Sequence, residues 1–177
     1  DGIRDALVGL VGSEMCIRDS ILVMGVGNSL MQDDAVGTHV TDALRASPDT
    51  PSDLDIIDGG TIGLSLLPQI EDADAVIIVD AAEIKAKPGT IRLYRDEEID
   101  RQLSGKRRTV HEVALADMFS AAAIRGRMPA RRVLVAVQPE CTEWGVDLTP
   151  RVQAAVPRAC AAILEMVAQW QDAEAAA

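Results

Sequence analysis

The stretch Ile21 to Gly37, ILVMGVGNSLMQDDAVG, constrains the chain more than any other. Ile21 to Val26 has the length and β-branched content of a buried strand, and Gly25, Gly27 and Asn28 supply the backbone freedom for an abrupt turn. Asp33 and Asp34 follow where a helix begins. This order places carboxylates at the carboxyl end of a strand, where α/β sheets open crevices and bind ligands.

The remaining elements suit that opening. Val36, Val40 and Leu44 repeat every four residues, predicting an amphipathic helix from Asp34 to about Ser47, ended by Pro48 and Pro51. Leu54 to Ile57 reads as a short strand stopping at Asp58, Gly59, Gly60 and Thr61. Ile62 to Ile70 reads as a helix with Leu64, Leu67 and Ile70 toward the sheet, although Gly63 and Pro68 weaken it. Ala75 to Val79 is the most apolar strand, suited to a central parallel position, and ends directly in Asp80.

Thr90 to Tyr94 reads as an edge strand, followed by a mixed-charge, exposed excursion through Arg108. The capping-box spacing of Thr109 and Glu112 predicts a helix to about Arg125 with His111 in its first turn. Arg132 to Val137 is a further strand. A helix from Thr149 to Trp170 follows, kinked or delayed by Pro157. Alternating strands and helices imply an α/β fold, a three-layer αβα sandwich whose mostly parallel twisted sheet carries helices on both faces.

Residues 21–177 are expected to form a single domain. Residues 1–20 lack a clear period and read as a non-native or disordered extension, with SEMCIRDS resembling translated adapter sequence. The net charge of −11 disfavours nucleic acid and anionic membrane as partners. Two Trp, one Tyr and one Phe leave little surface for stacking bases. Cys16, Cys141 and Cys160 show no CxxC spacing, and no apolar run approaches the roughly 18 residues of a membrane span. The expectation is a soluble, cytoplasmic protein.

Asp34 after the first strand, Asp80 at the end of the third and His111 at a helix start could converge on one crevice. Two carboxylates and an imidazole make an open, three-ligand site suited to a borderline divalent ion. Spacing alone leaves the plainer roles open, since acids at helix starts are commonly caps and strand-end acids often bond loop amides. Gly25 and Gly27 begin a dinucleotide-like motif, but Leu30 occupies the third glycine position, which disfavours a nucleotide cofactor. His39 falls on the first helix away from strand ends. Cys141 and Cys160 lack the context of a nucleophile.

The chain from Ile21 onward resembles the hydrogenase maturation endopeptidases that process the large subunit of nickel-iron hydrogenases. The resemblance runs through GVGNSLMQDDAVG, DGGTIGLSLLPQIEDADAVIIVDA, PGT, HEVALAD and VQPECTEWGVDLTP, five blocks in order. Asp34 is glutamate in some relatives, and Cys141 stands where a small polar residue is expected.

The resemblance implies a three-layer αβα fold. It also implies an endopeptidase, filed as aspartic-type, that cuts a C-terminal peptide from the nickel-loaded large-subunit precursor. Asp34, Asp80 and His111 would be both the metal contacts and the catalytic set. The nickel would be carried by the substrate, although another divalent metal could occupy the isolated site. Asp33, Asp58 and the Gly59–Gly60–Thr61 turn would support the site or the substrate strand. The protein would act as a monomer. The alternative is a non-catalytic, metal-dependent binding or chaperone module for the same precursor.

Overall fold

The computed structural model describes residues 20–61, 63–103 and 110–176, apart from the side chains of 110–112 and 174. The expected extension, save Ser20, and the Thr109–Glu112 capping box lie outside the described residues and side chains. Ser20 joins the fold through its amide and hydroxyl, which donate to the Asp74 carboxylate at 2.9 and 3.0 Å.

Five strands form one sheet: β1 (Ile21–Val26), β2 (Asp55–Gly60), β3 (Ala75–Ala81), β4 (Ile91–Arg95) and β5 (Arg131–Val137). Their order is β2-β1-β3-β5-β4, parallel throughout except for β4, which pairs antiparallel with β5 at the edge. The chain therefore runs outward from β1 to β2 and returns across β1 to β3. Between the carboxyl ends of β1 and β3 the winding reverses, which opens a crevice.

The helices are α1 (Val36–Ala46), α2 (Leu67–Asp72), α3 (Glu97–Leu103), α4 (Val110–Ile124), α5 (Pro150–Gln153) and α6 (Val156–Ala175). Strand alternation divides the core into two layers. Ile21, Val23, Ile77, Val79, Val133 and Val135 pack against α1, α5 and α6. Leu22, Met24, Val76, Ile78 and Leu134 pack against α2, α3 and α4. The fully buried β1 and β3 explain the unbroken apolar runs, whereas β2 and β4 lie at the edges and are partly exposed.

Three elements depart from the sequence expectation. A 3₁₀ turn, Leu64–Leu66, precedes α2, and Pro68 falls in the first turn of α2, where its missing N–H costs nothing. Leu64 is 64% exposed, and Leu66 packs in the core instead. The stretch expected to be an exposed excursion contains α3. Its Ile99 and Leu103, four residues apart, are buried, while Glu97, Glu98 and Asp100 favour the positive helix N-terminus. Arg132 reinforces this packing by a two-pronged contact with Asp100, at 3.2 and 3.3 Å, and by lying 5.0 Å over the Phe119 ring. The final helix is split into α5 and α6, since Pro157 can neither donate to Gln153 nor clear its carbonyl.

α1 crosses the sheet at very close range. A side chain on Gly37 would overlap the carbonyl oxygen of Val26 and crowd that of Val79, and one on Gly25 would overlap the Gly37 carbonyl. The close helix approach that Leu30 seemed to preclude is thus achieved by a different glycine pair. Gly37→Ala is expected to destabilise the protein by about 3 kcal/mol, the upper range for overpacking. Gly126→Ala meets nothing within 4 Å and has only its φ of 67° against it, so it should cost about 1 kcal/mol. Chemical denaturation of both variants tests this ordering.

Candidate active site

Asp34 lies in the 3₁₀ turn Gln32–Ala35 that leads from β1 into α1. The turn is tight because Gly27, with φ 142°, lies against the Asp34 carbonyl, where any side chain would collide. The half-buried Asp34 carboxylate accepts the Asn28 amide at 2.9 Å through Oδ2. It stands three residues before Gly37, so it borders the crevice between β1 and β3.

Asp80 occupies the penultimate position of β3, opposite Ala136 of β5, and is 2% exposed. Strand alternation turns it to the same face as Val76 and Ile78, which is the face α4 covers. α4 runs back toward the amino edge of the sheet, where Arg125 just beyond its end pairs with Glu71 of α2 at 2.5 Å. The first turn of α4, which contains His111, therefore stands at the carboxyl edge, the edge where Asp80 lies. The His111 side chain lies outside the described residues. Among the described residues no three His, Cys, Asp or Glu side chains form a metal-holding group.

The neighbouring Asp33 has a different role. It is fully buried, and its carboxylate accepts the amides of Glu140, Cys141 and Thr149 at 2.8, 2.9 and 2.7 Å, and the Thr149 hydroxyl at 2.9 Å. Its own amide donates to the Cys141 carbonyl at 3.1 Å. Both carboxylate oxygens are thereby committed to the loop after β5. Asp33 is an anchor for that loop and is not positioned to replace Asp34. Sequence reasoning could not find this role, because the partners lie 107 to 116 residues away.

The other expected residues serve structure. Asp58 accepts the Gly60 amide at 2.9 Å and the Thr38 hydroxyl at 3.3 Å, linking the end of β2 to α1. Gly60 in turn accepts the Gly27 amide at 2.9 Å. His39 is half-buried on α1. Burial raises the Cys160 thiol pKa above its ordinary value, and the thiol donates to the Val40 carbonyl at 3.7 Å, so it is a poor source of thiolate. Cys141 engages Asp33 through its backbone.

A doubly wound, mostly parallel sheet with Asp34 in the turn after β1 and Asp80 near the end of β3 defines an α/β protein with a candidate acidic site beside the reversal of its winding. The profile of the hydrogenase maturation protease family matches residues 38–166, and the chain belongs to that family. It is 39% identical over 145 residues to the hydrogenase 2 maturation protease of Escherichia coli, covering 81% of this chain and 88% of that one. It is 34% identical over 151 residues to the hydrogenase expression/formation protein HupD of Bradyrhizobium diazoefficiens, covering 85% and 79%. Its fold superposes on the solved hydrogenase maturating endopeptidase HybD from E. coli with a TM-score of 0.79 and 38% identity, over 85% of this chain and 93% of that one. The protein is accordingly an endopeptidase, a hydrolase of peptide bonds.

Asp33→Ala should lower stability by about 3 kcal/mol, the scale for leaving buried amide donors without an acceptor. Asp34→Ala, at a half-buried position bordering the crevice, should cost clearly less stability than Asp33→Ala. Urea unfolding of both variants gives the comparison.

Proposed function

We propose that the protein removes the C-terminal peptide from the nickel-loaded precursor of a nickel-iron hydrogenase large subunit. In this reading Asp34, Asp80 and His111 recognise the nickel that the substrate carries. The observation that carries it is the placement of Asp34 and Asp80 at the carboxyl ends of the adjacent strands β1 and β3, on a chain of this family.

Carboxylate oxygens and an imidazole nitrogen suit a borderline ion such as nickel, and three ligands leave positions for the substrate's own groups. Asp34 comes from a turn held by Gly27 and Asn28, and Asp80 from a central strand, so both would be presented with little reorganisation. By holding the substrate's metal, they would fix the scissile bond relative to the crevice. Hydrolysis then adds water to the scissile carbonyl and breaks its C–N bond, with a proton transferred to the departing amine. An ion at the carbonyl or at the water favours that addition by withdrawing charge.

Two acids from separate elements, a turn after β1 and the end of β3, together with a histidine suit metal recognition better than the shared-proton pair of an aspartic-type peptidase. Among the described residues no helix is long and apolar enough to cross a membrane. We place the reaction in the cytoplasm, performed by a monomer.

Incubation with nickel-loaded precursor, followed by mass spectrometry, should show loss of a C-terminal peptide, whereas nickel-free precursor should remain intact. Asp34→Ala, Asp80→Ala and His111→Ala should each lower the cleavage rate by about two to three orders of magnitude, with Asp80→Ala the most severe. Asp34→Ala and Asp80→Ala should leave the fold intact, so that the loss of cleavage is read against a melting curve that still shows a cooperative transition. Equal cleavage of nickel-free precursor, or normal cleavage by His111→Ala, would contradict the metal-directed reading.

Neither thiol has a place in this scheme. Cys141→Ser and Cys160→Ala should each retain most of the cleavage rate in the same assay. Complete inactivation of folded Cys141→Ser would point to a thiol mechanism instead.

A further inference from the structure

We infer that Leu30, Trp144 and Val146 form the surface on which the precursor docks, receiving an apolar segment flanked by basic side chains; this rests on the function proposed above. These side chains are 51%, 79% and 64% exposed. Single exposed apolar residues are ordinary on protein surfaces. Ile124, 87% exposed at the end of α4, is of that kind. Leu30, Trp144 and Val146 instead lie on two loops held against each other.

The joint between those loops is rigid. Gln32 donates to the Gly145 carbonyl at 2.9 Å, Gly145 donates to the Leu30 carbonyl at 3.0 Å, and Met31 bridges Gly145 in parallel fashion. Gly145 lies so close to Gln32 that a side chain there would come within 2.6 Å of the Gln32 Cγ. Asp33 ties the adjoining backbone at Glu140, Cys141 and Thr149. Apolar side chains fixed on such a platform bear the cost of hydration without collapsing onto the core, as docking anchors do.

Composition and position select the occupant. The chain has two Trp, one Tyr and one Phe. Phe119 is buried, Tyr94 packs against the core, and Trp170 lies at the edge of the core beneath the Arg131 guanidinium at 5.1 Å. Trp144 alone of these points to solvent, and Trp is the residue most enriched at interface hot spots.

The patch is continuous with the candidate site, since Leu30 lies four residues before Asp34 in the same connection between β1 and α1. A substrate protein whose scissile bond reaches Asp34 must therefore pass over it. Glu143 and Asp147 flank Trp144 and Val146 on either side and are exposed, while Glu140 is paired with Arg151 at 3.2 Å. This rim, on a chain of net charge −11, favours basic flanks on the docked segment.

Cleavage kinetics on the nickel-loaded precursor test the surface. Trp144→Ala and Val146→Ser should each raise KM about tenfold or more, with kcat and melting temperature retained, as for loss of a binding anchor. Ile124→Ser should leave KM unchanged. The double variant Glu143→Gln, Asp147→Asn should raise KM at low ionic strength and flatten its salt dependence. Unchanged KM for both Trp144→Ala and Val146→Ser, in a protein whose wild type cleaves, would overturn the docking surface and leave the proposed function standing. A fall in kcat at constant KM would likewise overturn it. Failure of the wild type to cleave would overturn the function on which it rests.

Discussion

The buried carboxylate of Asp33 is the interaction on which the ligand-facing edge of this protein depends. A turn after β1 and a long loop after β5 have no reason of their own to meet, because β3 lies between their strands. Asp33 joins them by accepting three backbone amides and a hydroxyl. A fully buried charge would be prohibitive alone, and here amide donors take the place of water. The consequence reaches the adjacent residue: with Asp33 drawn inward, Asp34 is left at the border of the crevice. Two neighbouring, chemically identical residues thus have separate roles, set by which way the turn directs each one.

A second constraint is the approach of α1 to the sheet. Gly25 and Gly37 bring the start of the helix against the carbonyls that end β1 and β3. Any side chain there would lift the helix and displace Asp34 with it. Close packing and the position of Asp34 are therefore one requirement in this region. The same glycines that resemble part of a dinucleotide fingerprint serve helix packing and turn formation, with Gly37 taking the packing role that the third glycine has in that fingerprint.

Asp80 is the one acid of β3, and it stands out by its surroundings. It is a carboxylate at 2% exposure near the end of a central strand, on the core-facing side toward α4. Nearly all other buried residues of β3 and β5 are aliphatic or alanine. Polar residues at buried strand ends, on a chain otherwise built from aliphatic side chains, mark where folding and chemistry make opposing demands.

The order of strands and helices was legible in the sequence because it is written locally. Buried parallel strands appear as β-branched runs, and the acids that end them appear as abrupt changes of polarity, so the locations of Asp34 and Asp80 after β1 and in β3 could be read directly. α3 was not legible, because its Ile99 and Leu103 lie among charges that resemble a solvated loop, and the apolar cluster that buries them, with Leu115, Met118 and Phe119, comes from other segments. The break before α6 was half legible: Pro157 signals an interruption, but whether it bends or restarts a helix depends on what packs beside it. The anchoring by Asp33 and the joining of the loops that carry Leu30 and Trp144 were decided by tertiary structure alone. Sequence patterns report which face a residue turns to its own element, whereas these contacts arise from folding two loops, more than a hundred residues apart, over one edge of the sheet.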